Sequence, residues 1–205
     1  LLNQCPHNLD LFQWFVGMPS RVTAKVDIGK HHDIEVEDEV SALLEFDNGA
    51  TGTFVTATSQ NPGINRLEIV GDRGTILANA DGKVTFLENL TPLSEYTPNT
   101  DERFKGPGHH THEIDCGGES PEHLGIIRNF INAIRHGEPL IAQATDGIHG
   151  LELGNAMLMS GLTHQPVDIP TDRDAYAELI EKLIDESTFE KKTVETGAAD
   201  LSGTY

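Results

Sequence analysis

Asn3 and His7 stand four residues apart in the opening stretch LLNQCPHNLDLFQWFVG. Residues four apart on a helix lie on one face, one turn above the other. That spacing would set an amide beside an imidazole. An imidazole exchanges protons near neutral pH and serves as a general acid or base. An amide can hydrogen-bond a substrate hydroxyl but cannot take its proton. Pro6 fits a first helical turn, where its missing N–H costs nothing. Asn3 is therefore the expected N-cap, and the polar pair is expected at the mouth of the helix. Cys5, Leu9, Phe12 and Val16 are left to anchor another side of it. The same residues also suit a partly exposed polar pair that does no chemistry. A hydrolase built on His7 and Asp10 is a further alternative, but no nucleophile at a recognisable elbow accompanies them.

Histidines supply the second candidate chemistry. His31 and His32 lie in the polar connector KHHDIEVE, and His109, His110 and His112 lie far downstream. Zinc takes three or four convergent ligands. Adjacent histidines point different ways in an extended chain, and no carboxylate–histidine helix motif frames these, so no metal site is expected. Leu90 to Gly118, with Pro92, Pro98 and Pro107, reads as a long irregular loop near the mouth of an active site.

The elements that must position these groups are legible from periodicity. Val22, Ala24, Val26 and Ile28 alternate with Arg21, Thr23, Lys25 and Asp27, which predicts a half-buried strand. A second strand is expected from about Asp38 to Phe46, with Val40, Ala42, Leu44 and Phe46 on one face. Asp47-Asn48-Gly49 then supplies a tight hairpin, and Ala50 to Thr58 returns. Asn61-Pro62-Gly63 breaks the pattern. Three shorter strands follow over Arg66–Val70, Thr75–Asn79 and Lys83–Glu88. Six strands with short connections predict an antiparallel meander rather than a βαβ array.

Helices dominate the remainder. Ser120-Pro121-Glu122 predicts an N-cap with proline at N1, and Gly137 a stop. Leu124, Ile127, Ile131 and Ile134 form an apolar stripe between them. The segment from about Thr145 to Leu162 is apolar on most sides and should be buried, with Gly147, Gly150 and Gly154 allowing close packing. Met157 and Met159 are core fillers. Val167 to Pro170 is a short edge strand, and Asp172 to Glu186 an amphipathic helix.

Composition narrows the function classes. The chain has 205 residues, and 37% hydrophobic against 23% charged residues is the balance of a folded globular domain. A formal charge of −19 argues against nucleic acid and against an anionic membrane surface. No apolar run approaches the roughly 20 residues of a membrane span. With only Cys5 and Cys116, no disulfide framework is implied and a cytoplasmic setting is the default.

Several motifs together resemble one family. The opening stretch, N-x-x-x-H-x-x-D followed by an apolar helix ending in Gly, resembles the start of the C-terminal domain of the Gfo/Idh/MocA oxidoreductases, the glucose–fructose oxidoreductase and inositol dehydrogenase family, where the pattern is D-x-x-x-H-x-x-D. E-V-E-D-E-V, F-x-N-G-A-T-G-T-F and N-R-L-E-I-V-G-D-R-G-T-I are similar to its sheet. E-H-x-x-x-I-x-x-F-I-x-A-I-x-x-G, D-G-I-H-G-L-E-L and V-D-I-P are similar to its closing helices. The resemblance covers about residues 1 to 186. It implies an α+β fold, a predominantly antiparallel open sheet with helices packed on one face.

It also implies roles. His7 matches the family's catalytic histidine, Asp10 its later acidic position, and Asn3 stands where many members carry Asp. Asn3, His7 and Asn65 are the implied substrate-binding residues, with Asn3 and His7 catalytic. The implied reaction is hydride transfer between a sugar or polyol hydroxyl carbon and NAD or NADP. No G-x-G-x-x-G follows a strand, and the family's E-K-P segment, whose lysine is its third catalytic group, is missing. The expectation is therefore a fragment: residues 1–188 a substrate-binding and oligomerisation domain, 189–205 a mobile tail, and the N-terminal dinucleotide-binding Rossmann domain absent. Such a fragment would bind no cofactor alone. A Thr- and Phe-bearing open sheet face suits a homo-oligomer, and a non-catalytic dimerisation module is the rival reading.

Overall fold

A computed structural model of the chain describes residues 1–102, 104–118, 121–188 and 190. It divides into two compact units, Leu1–Ser59 with His149–Tyr205, and Gln60–Ile148. Each contains one antiparallel four-stranded sheet. The α+β class and the antiparallel open-sheet character expected from the sequence are observed.

The first unit is a sheet in the order β3-β2-β1-β8, built from β1 (Arg21–Ile28), β2 (Glu37–Glu45), β3 (Thr51–Ala57) and β8 (Val167–Asp168). Register sets Val22 opposite Leu44, Ala24 opposite Ala42 and Val26 opposite Val40. It continues with Leu44 opposite Gly52, Ala42 opposite Phe54 and Val40 opposite Thr56. Because alternate residues share a face, all of these line one side. The helices α1 (Pro6–Val16) and α4 (Gly147–Thr163) cover that side. Leu9 of α1 and Leu153, Ala156 and Met157 of α4 join Val22, Val40, Leu44 and Val167 in one buried cluster.

Two features fix α4 against the sheet. Strand β8 pairs with β1 only at Arg21 and Val22, so the Ala24 N–H beyond it lacks a strand partner. It donates instead to Ser160 Oγ at 2.9 Å, and that hydroxyl donates to the Gln165 carbonyl at 2.7 Å. Glycines let α4 approach closely. A Cβ on Gly161 would collide with Val26, reaching its backbone nitrogen at 2.9 Å. Helix α5 (Arg173–Glu186) starts one residue after Asp172, which caps it: the Asp172 carboxylate accepts from the Asp174 and Ala175 amides, both at 3.0 Å.

The second unit holds β4 (Arg66–Gly71), β5 (Gly74–Asn79), β6 (Val84–Asn89) and β7 (His109–Ile114) in that spatial order. The expected meander is thus parted at Asn61-Pro62-Gly63 into two sheets. The segment read as a long irregular loop instead contains α2 (Leu93–Asn99) and β7. Helix α2 is pinned at its start by Asp72, whose carboxylate accepts from the Ser94 N–H at 2.7 Å and its hydroxyl at 3.0 Å. Strand β7 is six exposed residues, so its pairing with β6 supplies what side-chain burial does not. Helix α3 (Glu122–His136) ends as expected at Gly137, in the left-handed region at φ 71°. It begins one residue later than read, with Pro121 at the N-cap position. Ser120 lies outside the described residues, as does the expected tail apart from residue 190.

Candidate functional site

Helix α1 carries the first candidate pair, and the first unit fixes it from beneath. Leu9 is fully buried, and Phe12 packs against the same core. Cys5, at the N-cap position, is buried and places its Sγ 3.0 Å from Thr56 Oγ1 on β3. From the other side, α4 brings Gly150 to the Asp10 backbone: a Cβ there would stand 3.5 Å from its nitrogen. Gly154 is tighter, since a Cβ would stand 2.8 Å from Leu2 Cδ2 and 3.3 Å from Leu9 Cδ1. The sequence expectation that α4 glycines permit close packing holds at Gly150 and Gly154. It does not hold at Gly147, where a Cβ would meet nothing within 4 Å.

His7 sits in the first helical turn, directly after Pro6, and is exposed. Asn3 is exposed too, but it is not the N-cap. The Cys5 N–H already bonds the Leu1 carbonyl at 2.9 Å, so the chain turns before the helix begins and Asn3 falls in that earlier turn. Neither the Asn3 amide nor the His7 ring has a hydrogen-bond partner among the described residues, which leaves both available to a ligand. The Asp10 carboxylate is engaged by the Gln13 amide at 3.0 Å. No hydrogen bond joins it to His7 among the described residues, so the dyad that the His7–Asp10 hydrolase alternative needs is not formed here. Asn65 belongs to the second unit, immediately before β4.

The upstream histidines have structural partners. Asp38, buried at the start of β2, accepts from the backbone N–H groups of Lys30, His31 and His32 at 3.1, 2.7 and 3.1 Å. His32 Nδ1 lies 3.2 Å from the same carboxylate, and His31 Nε2 lies 3.0 Å from Glu39. Burial alone would raise the Asp38 pKa. The His31 and Lys30 amides, with His32, outweigh it and bring the carboxyl down to about 2. This carboxylate organises the β1–β2 connector.

Downstream, His109, His110 and His112 lie in strand β7, not in a loop. Sequence reading weighed the adjacent pair and missed the alternate one: His110 and His112 share a face, opposite Glu88 and Phe86 of β6. As they stand, no three His, Cys, Asp or Glu side chains among the described residues are arranged to hold a metal. Nor does the Gly71–Gly74 turn fit a dinucleotide. It joins β4 to β5 as a hairpin, and its acidic Asp72 is committed to Ser94, where a phosphate would need free amides and no negative charge. No helix among the described residues is long and apolar enough to cross a membrane.

Comparison with known proteins adds to this geometry. Residues 1–77 match the family model for the GFO/IDH/MocA C-terminal domain, in agreement with the resemblance read from the opening helix and first sheet. No curated protein matches the chain. Among solved structures, the WlbA dehydrogenase from Bordetella pertussis, in complex with NADH and UDP-GlcNAcA, is similar with a TM-score of 0.59 and 22% identity, covering 83% of this chain and 44% of that one. An Agrobacterium radiobacter oxidoreductase, in complex with NAD+, L-tartaric acid and magnesium, aligns with a TM-score of 0.57 and 18% identity over 82% of this chain and 48% of its own. Levoglucosan dehydrogenase, in complex with NADH and L-sorbose, gives a TM-score of 0.59 and 20% identity over 82% and 50%. The likeness is one of fold, and the chain spans about half the length of these structures.

Proposed function

We propose that the chain is the substrate-binding and oligomerisation part, over residues 1–188, of an NAD(P)-dependent oxidoreductase acting on a sugar or polyol hydroxyl. The observation that carries the reading is the match over residues 1–77, within which His7 stands exposed on a helix held by the buried core. A separate dinucleotide-binding domain would hold NAD or NADP, since the residues here do not fit it. The work assigned to this chain is binding and proton handling. Asn3 and Asn65 would hydrogen-bond substrate hydroxyls. A ring nitrogen of His7 would accept the hydroxyl proton as the carbon is oxidised, and return it in the reverse direction. Asn3 cannot share that proton, so of the candidate residues in this chain the base role falls on His7.

Oligomerisation is a second element of the proposal. The outer face of the first sheet carries Thr23, Leu43, Thr53 and Val55, with Leu43 45% and Val55 63% exposed. Phe54 is not on it: the register places Phe54 on the core side. This open face, rather than a phenylalanine-bearing one, would meet a second copy. It is also the observation that favours the non-catalytic dimerisation module as the alternative. A cytoplasmic setting fits the two unpaired cysteines.

The test is to express the reading frame that contains this segment and to follow NAD and NADP reduction with a panel of sugars and polyols. Turnover with at least one of them supports the oxidoreductase. A folded, dimeric product that neither binds dinucleotide nor turns over any of them supports the module instead.

A further inference from the structure

Strand β7 sets His110 and His112 two residues apart on one face of the second sheet, with Glu88 of β6 directly opposite His110. His112 Nε2 lies 3.0 Å from Glu88 Oε2. The His112 ring also stacks on Phe86, with centroids 6.0 Å apart and planes 24° apart. The His110 ring stands edge-on to it, centroids 6.3 Å apart. His112 and Glu88 side chains are 45% and 44% exposed, so solvent ions reach them. From this juxtaposition we propose that His110, His112 and Glu88 form a chelate for a divalent transition-metal ion, zinc being the type case, on the edge of the second sheet. It is independent of the oxidoreductase reading.

The donor set is two imidazole nitrogens and one carboxylate oxygen, which zinc accepts. Two ligands about 2.0–2.1 Å from a tetrahedral ion are themselves roughly 3.3–3.4 Å apart. The His112–Glu88 contact is a few tenths of an ångström short of that. An ion entering there takes the place of the hydrogen between the two atoms; the neutral ring binds through Nε2 with its hydrogen on Nδ1, and a proton is released to solvent only from a protonated ring. The third donor does not yet converge, which is why the side chains as they stand hold no such group of three. His110 is exposed and has no hydrogen-bond partner among the described residues. Changing its rotamer breaks no hydrogen bond and gives up only the edge contact with the His112 ring, and the strand need not move, since residues opposite one another in a ladder have Cβ atoms about 4.5–5.5 Å apart. Water completes the coordination on the open side. The bound ion would clip β7, an edge strand with no buried residue, to β6.

Zinc titrated into the whole chain by calorimetry at neutral pH tests this. The expected result is one saturable site and a higher melting temperature with zinc. His110→Ala and His112→Ala should each weaken binding at least about tenfold, the lower end of what outer-shell losses alone cause. His109→Ala removes a neighbouring exposed imidazole from the opposite face and should leave affinity unchanged. NMR of the unmutated chain gives a readout that needs no variant: zinc should shift the ring resonances of His110 and His112 and not those of His109. The proposal is overturned by the lack of a saturable site, by binding that survives loss of His110 or His112, by an equal loss in His109→Ala, or by ring shifts elsewhere.

Discussion

The two units differ in what holds them. In the first, Leu9, Val22, Val40, Leu44, Leu153, Ala156 and Met157 are at most 1% exposed and form one cluster spanning two helices and two strands. In the second, the buried residue among those described is polar: Asn129 on α3, whose amide bonds Glu138, the Pro139 carbonyl and the Ile141 N–H, each at 2.9 Å. The apolar stripe of α3 is open, with Leu124 62%, Ile127 56% and Ile134 71% exposed. The first unit therefore has a fully buried apolar core, and the second relies on half-buried side chains such as Leu67, Ile69 and Phe86 together with ladder hydrogen bonds and polar clamps such as Asp72 on α2. The candidate proton-handling residue sits on the unit with the packed core, where a helix is held in one place.

That contrast can be broken from its strong side first. Leu153→Ala should cost about 2–5 kcal/mol, since it opens a cavity in a fully buried site. Denaturant unfolding measures it, and a cost under about 1 kcal/mol would mean that the cluster is not the seat of stability. Gly161→Ala forces a methyl against Val26 and its backbone nitrogen, so it should cost about 1–3 kcal/mol; a neutral result would show that α4 can move off β1.

Acid should probe the same unit through Asp38. Its folded pKa of about 2 lies below the ordinary value of 3.8. The stabilisation it gives is thus present above about pH 4 and is lost as the pH falls from there toward 2. The Asp38→Asn protein should show a weaker fall of melting temperature across that window, and an identical fall would remove Asp38 from the account. On the weak side, Ile127→Ser on the open stripe of α3 should change stability by no more than about 0.5 kcal/mol, because the side chain is already exposed. A large loss would show that this stripe is covered in solution.

Legibility in the sequence followed apolar alternation rather than the division into units: β4, β5 and β6 of the second unit also lie close to the ranges read for them. β1, β2 and β3 were readable because one face is buried and alternation records it, although the open face was expected to carry phenylalanine and Phe54 lies on the core side. Strand β7 was not readable: His109–Ile114 has no apolar alternation, and its partner β6 lies upstream, beyond α2. Helix α2 contains Pro98, and the carboxylate that pins its start comes from the β4–β5 turn. The position of His7 in a first helical turn was readable from Pro6. That of Asn3 was misread because the bond from Cys5 to Leu1 starts the turn early. Alternating histidines were visible in the sequence, but their common face appears only once the segment is known to be a strand.

The central proposal is that His7 exchanges a substrate proton, and the most direct measurement is turnover and melting temperature on the same His7→Ala protein, made in the expressed reading frame that contains this segment. A positioned general base contributes about 10²–10⁴-fold. Since His7 is exposed and unpartnered among the described residues, the account predicts a loss of kcat of that order, with melting temperature and cofactor affinity unchanged. An unchanged kcat per folded molecule, or a loss of kcat that merely tracks a fall in melting temperature, would contradict it.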